Sequence, residues 1–235
     1  MKKLALVSLF AALFLAATLA NAQCGGNCLF YGGDLNLNDP NQNGLSNEND
    51  AIVNGNPYGA ATYQNFTLSS DAAVAALFSN NLMGLNPLSA YWEIRTGVSE
   101  GNGGTLVASG TAFDNVTPTG RSDFGYTEYR NEVWVNLNLS GGTQYWMAVV
   151  PNDPNNPERS FNSETDGTHS VGTQTINQQY FNSAFFGANF TNANNQGVFP
   201  TFSQGVIATP EPSSMVMLGS GLVATLGVIR RRLGR

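Results

Sequence analysis

Glu132-Val133-Trp134-Val135-Asn136-Leu137-Asn138-Leu139 is the stretch that decides the fold class. Its valines and leucines fall on one face, and its polar residues share the other with Trp134, the period-2 pattern of a half-buried strand. Ser140-Gly141-Gly142 then turns the chain into Gln144–Val150, a run apolar enough to be buried on both faces. Two such strands on either side of a tight glycine turn predict a β-hairpin. Working outward, Thr62–Leu68, Ala90–Thr96 and Thr105–Phe113 carry strand patterns of the same kind. His169–Thr175, Tyr180–Phe186 and Val198–Ile207 are further candidates. Asn152–Pro157 is a proline-asparagine loop that cannot continue a strand. Only Asp71–Leu82 fits a short helix, since alanines allow one and Asp71 could cap it. Short strands with turn signals between them predict an all-β fold, an antiparallel β-sandwich of jelly-roll type, over residues 58–208.

Charge divides the chain sharply. Six of its ten basic residues sit near the ends, at Lys2, Lys3, Arg230, Arg231, Arg232 and Arg235. Between them stand only Arg95, Arg121, Arg130 and Arg159, against all sixteen acids, which fall between Asp34 and Glu211. The body therefore carries a formal charge of −12 and no lysine. Nucleic acid is excluded as a partner, because nothing is available to neutralise phosphates. Asn, Gly, Thr and Ser abound, yet aromatic residues make up 11% of the chain, enough for a core. Residues 23–57 form an Asn-rich N-terminal segment with the only cysteines, Cys24 and Cys28 in Cys-Gly-Gly-Asn-Cys. In an oxidising compartment that spacing predicts a small local disulfide.

The first residues, Met1-Lys2-Lys3, lead into an apolar run that closes on Ala20-Asn21-Ala22. Basic start, apolar core and A-x-A exit predict a signal peptide over residues 1–22, removed by signal peptidase after Ala22. Residues 209–235 carry a different signal. Pro210-Glu211-Pro212 precedes Ser213-Ser214, an uncharged stretch through Ile229 and the cluster Arg230-Arg231-Arg232. About 17 uncharged residues make a helix of roughly 26 Å, just enough to cross a bilayer core. Arginines beyond it stay on the cytoplasmic side, which leaves the body outside. Motif, helix and basic cluster in this order resemble the PEP-CTERM sorting signal of exopolysaccharide-producing Gram-negative bacteria. That resemblance implies processing near Pro210–Pro212 by an exosortase, a membrane-embedded cysteine transpeptidase-like enzyme. It also implies an inner-membrane-anchored precursor whose body ends at the cell surface or outside the cell. Ile94–Val98 with Thr105–Thr111, Val135–Leu137 and Gly142–Trp146 also look like β-sandwich bodies carried by other PEP-CTERM proteins.

Few residues suggest chemistry. Asp39-Pro40-Asn41-Gln42-Asn43-Gly44-Leu45-Ser46-Asn47-Glu48-Asn49-Asp50 places oxygen side chains at positions 1, 3, 5, 9 and 12 and glycine at 6. That is the spacing of a Ca²⁺ loop, with Asp39, Asn41, Asn43 and Asp50 as ligands and Asp34, Asn36 and Asn38 as neighbouring oxygens. It departs from that pattern in lacking flanking helices, in Ser46 at position 8 and in Asp50 at position 12. An ordinary polar turn explains the same residues. His169 is the only histidine, and no G-x-S-x-G elbow is present. Glu93 with Glu128 or Glu132 are the carboxylate pairs to be tested for glycoside chemistry. Trp134, opposite the valine face, is the ring placed to stack on a sugar, with core packing as its other use. The expectation is a non-enzymatic surface or extracellular-matrix protein associated with exopolysaccharide. A carbohydrate-binding module is the alternative, and a glycoside-acting enzyme comes third.

Overall fold

The computed structural model describes residues 24–38, 44–55, 57–196 and 201–210. In chain order the strands begin with β1 (Cys28–Tyr31), β2 (Gly44–Ser46), β3 (Asn49–Asp50), β4 (Ala61–Thr67), β5 (Ala72–Met83) and β6 (Ser89–Thr96). There follow β7 (Thr105–Asp123), β8 (Tyr126–Leu139), β9 (Gln144–Asp153) and β10 (Ser160–Ser163). The last are β11 (Tyr180–Ser183), β12 (Ala188–Asn192) and β13 (Gln204–Ala208), with a 3₁₀ turn at Ala193–Gln196. The described residues contain no α-helix.

Hydrogen bonding links the main strands in the order β1-β13-β5-β8-β7-β6-β9-β4-β11-β12. β7 is the pivot. Its first half, through Phe113, pairs with β6, and its second half, from Asp114, pairs with β8. The one continuous sheet is thereby folded into two layers, β1-β13-β5-β8-β7 and β7-β6-β9-β4-β11-β12. β10 extends the first layer on β5 and carries β2, while β3 adds the single parallel pair, on β9. Successive strands β4, β5 and β6, and again β8, β9 and β10, alternate between layers, as in a jelly roll. The predicted all-β antiparallel fold is what forms.

Alternation of side chains puts one face of each layer inside. Phe30, Val74, Leu77, Val133 and Val206 of the first layer meet Phe66, Ile94, Tyr145, Met147 and Val149 of the second. Phe66 stacks between Phe30, 5.4 Å away, and Tyr145, 5.6 Å away. Such paired rings contribute about 0.5–1.5 kcal/mol each beyond the area they bury. Towards the other end of the interlayer space the filling becomes polar. Asn47 donates to Asn81 (2.9 Å) and the Val149 carbonyl (2.8 Å), Asn81 donates to Asn131 (2.9 Å), and Asn131 to Asp114 (2.8 Å). Buried amides survive there because each finds a partner.

Several sequence expectations give way. Asp71–Leu82 is strand β5, not a helix. It lies between β13 and β8 with both faces covered, and ten of its twelve residues are buried, so sheet pairing overrides the alanines' helix preference. The two strands around Ser140-Gly141-Gly142 exist, but they do not pair with each other. β8 bonds β5 and β7, β9 bonds β6 and β4, and the turn carries the chain from one layer to the other. Gly141 fits there because a β-carbon would lie 2.5 Å from Ser70 Cα. His169–Thr175 forms isolated bridges at Val171 and Thr173 rather than a strand. Of the N-terminal segment, β1 pairs with β13, β2 with β10 and β3 with β9.

Candidate functional site

The outer face of the first layer holds the residue singled out for sugar stacking. Val133 points inward, fully buried, so Trp134 points outward, and it is 65% exposed. Cross-strand register sets Cys28, Ile207, Ala76 and Trp134 in one row across β1, β13, β5 and β8. Ala76, its neighbour in that row, is small and buried. On the other flank Asp114 pairs with Val133, so the next position along β7 is Phe113, itself 69% exposed. Sequence reading missed Phe113, because it closed the predicted strand and its facing neighbour depends on where β7 changes layers.

The same outer face carries a polar cluster around Asp34. Tyr31 donates to Asp34 Oδ1 at 2.7 Å, and Arg121 Nη1 lies 2.9 Å from the same oxygen. His169 Nδ1 is 2.7 Å from Asp34 Oδ2. Arg121 Nε in turn binds Glu128 Oε2 at 2.7 Å, and Thr119 donates to that oxygen at 2.5 Å. Burial alone would raise Asp34, but the hydrogen bonds from Tyr31 and His169 and the charge of Arg121 outweigh it and hold its carboxyl below the ordinary range. Ser203, which shares the Tyr31 hydroxyl, is buried and donates to the Gly33 carbonyl at 2.6 Å. Its proton is committed, so the Asp34–His169 pair does not serve it as a base.

The proposed carboxylate pairs do not meet. Glu93 on β6 faces outward from the second layer, where Tyr63 (2.5 Å), Tyr91 (2.8 Å) and both nitrogens of an Arg95 fork (2.6 and 3.2 Å) hold it. Glu128 and Glu132 on β8 face outward from the first layer, with the core between them and Glu93. A third buried acid, Glu48, accepts from Ser46, the Ser160 amide and two nitrogens of Arg159, 2.6 and 2.8 Å away. Arg130 lies 2.5 Å from Glu132 and stacks over Phe78 at 3.6 Å. Every arginine of the body is thus committed to a carboxylate. Arg–carboxylate forks of this kind lock positions rather than leave groups free for a ligand.

Of the calcium-loop candidates, Asp39, Asn41 and Asn43 lie outside the described residues. Asp50 is buried, and its Oδ1 accepts the amides of Ile52 and Val53, both at 2.8 Å. Among the described residues no cluster of three or more metal-ligating side chains occurs. Cys24 and Cys28 are joined in a disulfide. The signal segment, Glu211, Pro212, the apolar stretch beyond them and Arg230–Arg232 lie outside the described residues; Pro210 is the last residue within them.

At the end of the sandwich away from Thr209 stands a second exposed aromatic group that sequence reading missed. Phe124 of the β7–β8 turn and Tyr126 at the start of β8 lie against Phe161, with ring centroids 6.2 and 5.8 Å away. Arg159 bridges from Phe161 to Phe186, which meets Phe185 at 4.9 Å. Two turns and strand β10 bring these rings together, which no local pattern announces.

Residues 208–232 match the family described as the PEP-CTERM protein-sorting motif. No curated protein matches the chain. Among solved structures, the clostridial cysteine protease Cwp84 after propeptide cleavage is similar at 16% identity and a TM-score of 0.37. That similarity spans 64% of this chain and 36% of the protease chain, and is too slight to carry fold or chemistry across.

Proposed function

Because residues 208–232 are a PEP-CTERM protein-sorting motif, which marks an exported precursor processed by an exosortase, we propose that the body is a non-enzymatic component of the cell surface or extracellular matrix, associated with exopolysaccharide. The motif is the observation that carries this reading. Two further features support it. The carboxylates best suited to glycoside chemistry are locked by arginines and tyrosines on opposite outer faces. No arginine of the body is left to hold an anionic polymer, and the formal charge of −12 repels one, so the polysaccharide partner is neutral or bridged by cations. Substituting the residues of Pro210-Glu211-Pro212 in the native host tests the sorting step. The body should then remain with the membrane fraction and disappear from the matrix; an unchanged distribution would overturn it.

Exposure of Trp134 beside Phe113 favours a second reading, a carbohydrate-binding surface. Sugar C–H faces stack on such rings. Trp134→Ala should weaken retardation in polysaccharide-containing gels by about tenfold in Kd, or about 1.4 kcal/mol. Equal mobility of the protein across a panel of neutral polysaccharides, with and without the substitution, would remove this reading.

A further inference from the structure

The sorting motif begins inside the folded sheet. Its first matched residue, Ala208, is the last residue of β13, which is an interior strand with β1 on one side and β5 on the other. The Ala208 amide donates to the Asn27 carbonyl at 2.8 Å, and the Thr209 amide to the Ala73 carbonyl at 3.0 Å. Asn27 belongs to the loop closed by the Cys24–Cys28 disulfide, and Cys28 pairs with Ile207. The body is therefore tied down through Thr209, and Pro210, without an amide hydrogen, is the first residue the sheet cannot hold by that bond. Proteolysis inside a doubly paired strand requires that strand to open first.

Three turns gather around this exit. They are Gly25-Gly26-Asn27, Ser69-Ser70-Asp71 and Ser140-Gly141-Gly142; Asp71 accepts the Gly141 amide at 2.9 Å, and the Leu68 carbonyl accepts that of Gly142 at 2.8 Å. A cleft of about 350 Å³ opens beside the last two, lined by Asp71, Ala72, Ala73, Asn138, Leu139 and Ser140. The surface is made of small polar residues, with Asp71 its one charge. Only five residues separate Thr209 from the apolar stretch at Met215, at most ~22 Å even when fully extended. With the membrane span expected from the sequence at Met215 onward, a tether this short would keep this end of the sandwich toward the membrane and whatever enzyme works there.

We propose that the end face formed by these three turns is the surface of the body that meets the membrane-embedded processing enzyme. This rests on the sorted-protein reading and adds to it which face of the body is presented.

The test uses the full chain in its native host. Gly26 is exposed and a β-carbon there would meet nothing within 4 Å, so Gly26→Trp adds bulk to the end face. Asn155→Trp adds the same bulk to an exposed loop at the far end. Pulse-chase labelling should show Gly26→Trp accumulating unprocessed precursor several-fold over wild type, and Asn155→Trp processed normally. A Gly/Ser linker inserted between Thr209 and Pro210 should restore the rate of Gly26→Trp. Normal processing of Gly26→Trp would overturn the proposal. Wild-type protein that keeps its sequence through Arg235 in every fraction would overturn the sorting reading, and this proposal with it.

Discussion

Asp114 gives the most direct handle on the energetics of the sandwich. It is 2% exposed in the interlayer space, and Asn131 donates to its Oδ2 at 2.8 Å. Its Oδ1 has no hydrogen-bond partner. Burial pushes the carboxyl up to about 7, against the pull of Asn131 and the Glu132 amide. Relative to an ordinary value of 3.8, that is a displacement of about 3 units, or about 4 kcal/mol at 1.36 kcal/mol per unit. Below pH 4 the group is protonated in both folded and unfolded chains, and the folded state bears no penalty. Between pH 4 and 7 the unfolded chain ionises while the folded one keeps its proton, so stability falls as pH rises; above 7 it levels off. Asp114→Asn removes that loss while keeping a side chain that accepts from Asn131. Urea unfolding of both proteins should give equal stability near pH 4 and a variant more stable by about 2–4 kcal/mol at pH 8. A variant less stable than wild type at pH 8, or a difference independent of pH, would refute the assignment of Asp114 as a neutral buried acid.

Other expectations follow from the ion pairs, the disulfide and the exposed ring. Arg159→Ala strands the fully buried Glu48 carboxylate and should cost about 3–5 kcal/mol in urea unfolding, and Arg159→Lys, lacking the fork, should recover only part of it. Reduction of Cys24–Cys28 opens a loop of a few residues and should cost about 2 kcal/mol. In hydrogen exchange it should also release the Ala208 and Thr209 amides before those of β5. Trp134→Ala should change stability by less than about 0.5 kcal/mol, since the ring is mostly in water, so any loss of polysaccharide retention belongs to contact and not to folding.

Much of the fold was legible wherever one face of a strand is wet. Val133 to Leu139 alternates because Trp134, Asn136 and Asn138 stand in solvent while the apolar side chains pack inward, so β8 reads directly. β5 does not, because it is covered on both sides and its alanines carry no period-2 signal. β7 was read only to Phe113, since Asp114, Asn115 and Pro118 look like breakers. From Asp114 on it is an edge strand paired only with β8, with an irregularity between Pro118 and Ser122, and there a proline costs no ladder bond. The Ser140-Gly141-Gly142 turn misled because a crossing between layers and a hairpin need the same flexible residues. Ion pairs within a strand, Glu93 with Arg95 and Arg130 with Glu132, sit two positions apart and were implicit in the alternation. The pairs Glu48–Arg159 and Asp34–His169 span 111 and 135 residues and arise only from topology. The sorting motif was the part of the function most open to reading, because its signal is local: a dipeptide-spaced proline motif, an apolar run and a basic cluster in fixed order.

The central claim is that this body is exported, cut at the motif and delivered outside the membrane. Intact mass of the protein from the culture medium and from the membrane fraction of its native host tests it most directly. Export and cleavage at the motif predict a medium or matrix species that begins at Gln23 and ends within Thr209–Pro212. Protein found only in membranes, with its sequence intact through Arg235, would contradict it.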